Sequence, residues 1–247
     1  MSMRKAAPRA VRAALAALLV LSSAGDIDAA TRPKAKKKVP PKAATHDYAH
    51  AVAVLHTERG DVTIRFFADR APNHVRNFVD LASGGFYDGT LFHRVIPGFV
   101  LQGGDPLTKD PKNAFVWGNA GRTDAKGQPV TLKPEFNDTP HKRGVVSMAR
   151  SAAPDSASSQ FFIVLKDYPS LDHQYTAFGE VVKGMDVVDR IVAESNPDPS
   201  NASLGKPRVY QKLVKVEILE ESAPPAPPGA TAPVPAPAPV SAPAKKG

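Results

Sequence analysis

One short apolar segment of the chain contains an arginine at a position where a core strand would have an apolar side chain. Residues 91–96 read LFHRVI and are bounded like a short strand. Alternation along a strand would put Phe92 and Arg94 on one face. A cation on such a face must be paired, solvated in a cleft or used in chemistry. From the residues alone, Arg94 fits an ion pair with Asp105 or Glu135 as well as it fits a functional role.

A second apolar segment combines an amide with aromatic rings. Residues 160–164 read QFFIV. Alternation puts Gln160 and Phe162 on one face, and Phe161 and Ile163 on the other. One face suits a core, while the other presents a polar head beside a ring. Together the two segments predict a groove that binds an apolar ring attached to an amide.

The motifs of several common enzyme classes are missing from the sequence. It contains no GxSxG elbow, no HExxH and no Gly-rich phosphate loop followed by Lys and Ser or Thr. The lack of cysteine excludes disulfides, thiol catalysis and Cys-ligated metal sites. His46, His50 and His56 lie close together, but a segment that turns from loop to strand does not fix their geometry. We therefore predict no metal site there.

Charge is distributed unevenly along the 247 residues. Residues 1–44 carry ten basic and two acidic side chains, residues 221–247 carry two and one, and residues 45–220 carry 20 and 21. The basic character therefore belongs to the N-terminal segment. A nucleic-acid-binding domain needs excess positive charge on its folded surface. Because the middle segment is nearly neutral, no nucleic-acid partner is predicted.

The N-terminus has the pattern of an export signal. Four basic residues precede an apolar run at 13–24, which is twelve residues long and ends in Ser-Ser-Ala. A spanning helix needs about 20 apolar residues, whereas this run has the length of a signal-peptide core. We predict a signal peptide at 1–24, with Ala29 or Ala30 as alternative cleavage sites, and a periplasmic or secreted location. The alternative is an uncleaved anchor or a disordered start.

Two low-complexity segments flank the predicted domain at 51–220. Residues 25–50 form a basic Lys/Pro-rich linker, because its lysines repel one another and its prolines oppose helix formation. This linker could also make a weak electrostatic contact with a membrane surface. Residues 221–247 are rich in Pro and Ala and are expected to be disordered. We expect a monomer.

Short strands dominate the predicted domain. Residues 51–57 and 61–67 form an antiparallel hairpin. A helix that begins near Pro72 has apolar residues at three- and four-residue spacing and ends at the glycine pair 84–85. A second helix pattern runs over 185–192. Many short strands with two helices favour a mostly antiparallel barrel or sandwich.

Four motifs resemble the cyclophilin-type peptidyl-prolyl cis-trans isomerases, most closely their bacterial branch. They are FHRVIPGFVLQGGD at 92–105, EFNDTPHKRGVVSMAR at 135–150, SSQFFIVL at 158–165 and SLDHQYTAFGEVVKGMDVVD at 170–189. The resemblance covers about residues 51–219. It implies a mostly β fold, namely a closed eight-stranded antiparallel β-barrel capped by two α-helices. It also implies an enzyme that rotates Xaa-Pro peptide bonds without a cofactor.

The same resemblance implies a set of site residues. The catalytic group is Arg94, Gln102 and Phe162. The implied substrate-binding residues are His93, Phe99, Val100, Met148, Ala149, Arg150, Gln160, Leu171 and Tyr175. Phe99, Val100, Phe162 and Leu171 would line the proline pocket, with Met148 close by. Ala149 and Arg150 would offer backbone groups to the residue before proline.

Three positions differ from the pattern of animal or compact members of the family. Ser170 stands where animal members have a tryptophan, and the loss of that indole donor lowers the expected affinity for cyclosporin. Tyr175 stands where animal members have a histidine, a substitution that bacterial members also show. Trp117 lies in an irregular stretch at 109–127 that departs from compact members. It either anchors a loop or faces the substrate.

The implied partners are proline-containing unfolded or partly folded polypeptides, whose folding outside the cytoplasm the enzyme would assist. The alternative is a catalytically weak proline-peptide binding module that its tails tether at the cell envelope. The presence of Arg94, Phe99, Gln102 and Phe162 favours the enzyme. Binding alone does not need a cation directed at the prolyl nitrogen.

Overall fold

The computed structural model describes residues 46–195 and 205–220. The predicted signal peptide, residues 25–45 of the predicted linker and the predicted Pro/Ala-rich tail lie outside the described residues. In the part that is described, neither α-helix is long and apolar enough to cross a membrane.

Nine strands form one sheet among the described residues. They are β1 (Ala51–Thr57), β2 (Gly60–Phe66), β3 (Leu91–Phe92), β4 (Arg94–Ile96), β5 (Val100–Gly103), β6 (Val145–Met148), β7 (Phe161–Val164), β8 (Ala177–Lys183) and β9 (Gln211–Glu220). Their order across the sheet is β3-β9-β1-β2-β8-β6-β7-β5-β4, and every neighbouring pair is antiparallel. The hairpin predicted at the start of the domain is β1 and β2.

The sheet closes on itself at His93. β3 pairs with β9, whereas β4, which begins just beyond His93, pairs with β5. The backbone N–H of His93 donates to the carbonyl oxygen of Gln102 at 3.1 Å. The chain therefore passes from one edge of the sheet to the other at this residue. The predicted barrel is confirmed, and eight strands become nine because one bent strand is divided at His93.

This bend makes one prediction wrong. Phe92 is buried in the barrel core, while Arg94 is half-buried and borders an outer cavity. Alternation would have placed both side chains on one face. The strand changes its partner from β9 to β5 between the two residues, so the alternation is not continuous.

Alternation does hold in β7, which is paired on both sides. Phe161 and Ile163 face the barrel core, and Phe162 faces away from it, as predicted. The side chains on the far face form a second cluster, which we call the outer cluster. It consists of Val100, Val145, Phe162, Val164, Leu171 and Ala177, with Phe99, Ala149 and Tyr175 packed against it.

Two helices pack against the barrel. Helix α1 (Pro72–Ser83) contacts β8 and β9, and helix α2 (Met185–Glu194) contacts β2. The predicted apolar face of α1 is buried, and Phe78 packs on Tyr87 and Phe161 with ring centroids 4.8 and 5.3 Å apart. These aromatic contacts hold the barrel wall that carries β7.

The three N-terminal histidines have separate partners. His46 bonds to Ser83, His50 to Asp47, and His56 to Asp61 and Glu217. Within residues 46–195 and 205–220, no group of three His, Asp or Glu side chains could hold a metal ion.

Candidate active site

A row of facing residues crosses three strands on the outside of the barrel. The register pairs Arg94 of β4 with Gln102 of β5, and Gln102 with Phe162 of β7. Facing residues on antiparallel strands project from the same side of the sheet, with Cβ atoms about 5 Å apart. The fold therefore brings the three predicted catalytic residues together from two distant motifs.

An amide, not an acid, holds the Arg94 guanidinium. Its Nη1 donates to Oε1 of Gln102 at 3.2 Å, and its Cζ lies 5.8 Å from the centre of the Phe99 ring. None of the ion pairs among the described residues includes Arg94. Glu135 bonds to a histidine of α1, and Asp105 accepts backbone N–H groups. The alternative of an ion pair with either acid is therefore wrong.

Two glutamines connect Arg94 to a loop. Because Oε1 of Gln102 accepts from Arg94, its Nε2 donates to Oε1 of Gln160 at 2.9 Å. Nε2 of Gln160 donates to the carbonyl oxygens of Gly118 and Ala120 at 3.0 and 2.7 Å. Each amide has one orientation that satisfies this chain. The amide relay thus directs Nη1 of Arg94.

Arg94 remains a cation although it is half-buried. Burial lowers the pKa of its guanidinium, but arginine stays protonated in proteins at neutral pH. Its remaining N–H donors border a cavity of about 90 Å³. The walls of this cavity are Arg94, Phe99, Val100, Gln102, Ala149, Arg150, Phe162, Leu171 and Tyr175, all of which are predicted site residues. Its apolar floor and small size suit a single ring.

A larger cavity of about 340 Å³ adjoins this ring-sized cavity. The two share Gln102, Ala149 and Arg150, so together they form one groove. The walls of the larger cavity are otherwise polar and include the loop 118–121 and Gln160. Polar walls suit the backbone amides of a polypeptide that flanks the ring.

Arg150 stands where the two cavities meet. Its Cζ lies 4.7 Å from the centre of the Tyr175 ring, and its Nε donates to the carbonyl oxygen of Gln174 at 2.9 Å. The backbone N–H of Ala149 already donates to the backbone carbonyl oxygen of Gln160 at 2.8 Å. That N–H is therefore engaged within the protein, and only the other backbone groups of this segment can serve a substrate.

Two predicted substrate-binding residues lie behind the groove. Met148 is 1% exposed and packs in the barrel core, because β6 turns Ser147 outward and Met148 inward. His93 is 7% exposed and its ring lies behind Gly118. Neither residue lines the groove, so neither is placed to contact a substrate.

Two other aromatic residues have defined places. Tyr168 packs against Phe99 with ring centroids 4.5 Å apart and ring planes tilted by 49°, which extends the rim of the ring-sized cavity. Tyr168 was not among the residues predicted from the sequence. The one signal for it was an aromatic side chain close to Ser170, which stands where animal members have a tryptophan. Trp117 donates to the carbonyl oxygen of Leu107 at 2.9 Å and packs edge-on against Tyr210. These contacts make Trp117 a loop anchor.

Comparison with known proteins identifies the family of this chain. Residues 52–217 match the family model described as "Cyclophilin type peptidyl-prolyl cis-trans isomerase/CLD". The chain belongs to this family. It is a cyclophilin-type peptidyl-prolyl cis-trans isomerase with its groove on the outside of the barrel.

Relatives of this isomerase include bacterial proteins. It is 41% identical over 165 residues to a probable peptidyl-prolyl cis-trans isomerase of Brucella abortus, covering 67% of this chain and 81% of the relative. It is 41% identical over 171 residues to peptidyl-prolyl cis-trans isomerase A of Dickeya dadantii, covering 66% and 84%. A solved cyclophilin-type isomerase of Cryptosporidium parvum, determined in the presence of the dipeptide Ala-Pro, is 26% identical with a TM-score of 0.59. The match covers 69% of this chain and 99% of that one.

Proposed function

We propose that this cyclophilin accelerates rotation about Xaa-Pro bonds in unfolded or partly folded exported polypeptides, with Arg94 as the catalytic residue. One observation carries the proposal. The row of Arg94, Gln102 and Phe162 borders a ring-sized cavity, and the cation in this row has an amide partner but no acidic partner among the residues that the structure describes.

The energy barrier explains why a cation is useful there. Amide resonance opposes rotation by about 18–20 kcal/mol. Uncatalysed Xaa-Pro exchange takes roughly 10–100 s. At the twisted transition state the prolyl nitrogen becomes pyramidal and regains its lone pair. A guanidinium N–H directed at that lone pair binds the twisted amide more strongly than either planar isomer, which lowers the barrier.

The other groove residues hold the two ends of the rotating bond. Phe99, Phe162 and Leu171 immobilise the proline ring in the apolar cavity. Gln102 can donate its second amide hydrogen to the carbonyl group that turns against the ring. The Cryptosporidium relative was determined in the presence of Ala-Pro, which supports proline as the ring that the cavity receives. No proton is transferred and no covalent bond forms.

Exchange spectroscopy on an Ala-Ala-Pro-Phe peptide tests this function with the full chain and Arg94→Ala. Loss of the cation should lower kcat/KM by about 100-fold, as for other residues that stabilise transition-state charge. Arg65→Ala is the control, because Arg65 pairs with Glu180 on the surface and an exposed pair contributes little. Circular dichroism would verify that each variant is folded.

A second outcome would favour the binding-module alternative. If the peptide shifts the resonances of groove residues but neither protein accelerates exchange, the groove only recognises proline. If both proteins accelerate exchange equally, Arg94 is not the catalytic residue. Arg94→Lys refines the test, because it keeps the charge but loses the planar fork of donors. We expect it to recover only a small part of the rate.

We also propose that residues 1–24 direct export to the periplasm or the medium. The support is the charged start followed by a twelve-residue apolar run that ends in Ser-Ser-Ala. The enzyme would act there as a monomer, with weak contact between its basic linker and anionic lipid. Fractionation followed by N-terminal sequencing tests this. Gly25 should be the first residue of the exported form, and an intact N-terminus in the cytoplasm would contradict export.

A further inference from the structure

A buried histidine behind the groove has no role in the mechanism above. His141 is 2% exposed, and all of its backbone and ring polar groups have hydrogen-bond partners. Its backbone N–H and its ring Nδ1 lie 2.7 and 2.9 Å from Oδ1 of Asp172. Its Nε2 lies 3.0 Å from Oγ of Ser147, and its carbonyl oxygen accepts the N–H of Tyr168 at 2.9 Å. His141 thus joins β6 to the turn at residues 168–172.

The directions of these hydrogen bonds follow from the groups involved. The carboxylate of Asp172 can only accept, so Nδ1 of His141 carries the hydrogen. Nε2 is then the acceptor, and the hydroxyl of Ser147 donates to it. Burial lowers the pKa of His141, so the ring is neutral at neutral pH. The geometry of the hydrogen bonds, and not a charge on the imidazole, defines this arrangement.

The two segments joined by His141 border the ring-sized cavity, one through Leu171 and the other through the neighbouring Phe162. Asp172 follows Leu171, which lines that cavity. Ser147 of β6 faces Phe162 of β7 in the sheet register. The His141 ring itself lies nearly parallel to the Phe162 ring, at 24° and with centroids 6.4 Å apart. Displacement of the imidazole would therefore release both the floor and one side of the cavity.

We propose that His141 is a positioning residue that sets the shape of the proline pocket by tying the Leu171 segment and Ser147 together behind Phe162. This inference rests on the proposed function of the ring-sized cavity. It concerns recognition of the ring, whereas Arg94 acts on the rotating bond.

A residue that shapes the pocket has a distinct kinetic signature. The pocket holds the ring in the cis isomer, the trans isomer and the transition state alike. Loss of such uniform binding raises KM and leaves kcat nearly unchanged. Loss of Arg94 should instead lower kcat. The two roles are therefore separable in one set of rate measurements on the full chain.

Three substitutions test the proposal. His141→Phe keeps a flat ring beside Phe162 but removes both side-chain hydrogen bonds. Asp172→Ala removes the acceptor, whereas Asp172→Asn keeps a carbonyl oxygen that can accept from the neutral ring. His74→Phe is the matched control, because His74 is fully buried with its Nδ1 2.6 Å from Glu135 and lines neither cavity.

We expect His141→Phe and Asp172→Ala to raise KM for Ala-Ala-Pro-Phe about fivefold with kcat within about twofold of the native value. Asp172→Asn should restore KM, and His74→Phe should leave it unchanged. The aromatic carbon resonances of Phe162 should shift in His141→Phe and Asp172→Ala only. If His141→Phe does not fold, the Asp172 pair decides the question alone.

Two outcomes would overturn the positioning role. One is a native KM in folded His141→Phe or Asp172→Ala. The other is a loss confined to kcat, which would place His141 in the chemical step. The dissociation constant of the peptide, measured by titration of backbone resonances, should rise by the same factor as KM. That measurement still tests the inference if the native protein fails to accelerate exchange, so failure of the proposed function is recognised separately.

Discussion

Gly205 lies directly against the side chain of Arg94. A Cβ atom built on Gly205 would stand 3.0 Å from Cγ of Arg94 and 2.5 Å from Cγ1 of Ile96. The carbonyl oxygen of Gly205 accepts the backbone N–H of Val95 at 2.7 Å. Gly205 therefore supports β4 along the edge that is not paired with β5, and its lack of a side chain leaves room for the aliphatic stem of Arg94.

Gly205→Ala should reduce activity more than stability. The added methyl group must push Arg94 or Ile96 aside, and a misdirected guanidinium no longer reaches the prolyl nitrogen. We expect kcat to fall about tenfold, which corresponds to ~1.4 kcal/mol of transition-state binding. Gly127→Ala is the control, because Gly127 has a similar positive φ but no atom within 4 Å of the added carbon. An equal loss of kcat in both variants would contradict a specific role for Gly205.

The amide relay makes a different prediction at Gln102. Gln102→Ala removes one acceptor from Arg94, and we expect kcat/KM to fall about tenfold. Gln102→Glu is closer in shape but should lose about 100-fold, because a carboxylate would hold the cation away from the substrate. Exchange rates at equal protein concentration would measure both. Activity in Gln102→Glu above that of Gln102→Ala would show that the relay does not direct Arg94.

Some of this site was predictable because strands with two neighbours obey simple alternation. In β7 the side chains of Phe161 and Phe162 face opposite sides as expected, since β5 and β6 hold the strand on both edges. The same rule failed between Phe92 and Arg94, where the chain exchanges β9 for β5. Nothing local in LFHRVI signals that exchange, because it results from closure of the whole barrel.

Contacts between segments that are distant in the sequence could not be predicted from it either. His141 and Asp172 are bonded across 31 positions of the chain, and Gly205 lies against Arg94 although the two residues are far apart in the sequence. The family resemblance indicated residue roles but not which face of a strand each side chain occupies, so Met148 was predicted to bind substrate although it packs in the barrel core. Pattern reasoning works within an element and fails where tertiary packing decides the partner.

Glu135 caps helix α1 from outside the helix, and this contact should be sensitive to acid. The first turn has no side-chain cap of its own, and Glu135 accepts the backbone N–H groups of Asn73 and His74 at 3.1 and 3.0 Å. Burial raises the pKa of Glu135, but the hydrogen bonds from His74 and Asn73 outweigh burial and hold this pKa below its usual value. Glu135→Ala should cost about 2 kcal/mol of unfolding free energy at pH 7.

The pH dependence follows from the sign of that shift. A carboxyl group with a lowered folded-state pKa adds stability above its unfolded value, near 4.5, and loses it as the pH falls through the folded value. Urea unfolding at pH 7 and at about pH 3 should therefore show Glu135→Ala converging on the native protein. Burial lowers the pKa of His74 below its usual value near 6.5, so protonation of this histidine lowers the stability of both proteins as the pH falls. Asp138→Ala, at a fully exposed carboxylate, should change neither measurement.

His173 occupies a backbone conformation that favours glycine. Its φ is +57°, and it is the one non-glycine residue with positive φ in residues 46–195 and 205–220. The left-handed region costs a residue with a Cβ about 1–2 kcal/mol, while glycine loses roughly 0.5–1 kcal/mol of entropy on folding. His173→Gly should therefore raise the unfolding free energy by a few tenths to about 1 kcal/mol. The neighbouring Gln174→Gly lacks the relief of strain and should lower it. Urea unfolding of both variants decides the matter, and a loss of stability in His173→Gly would mean that the imidazole makes a compensating interaction.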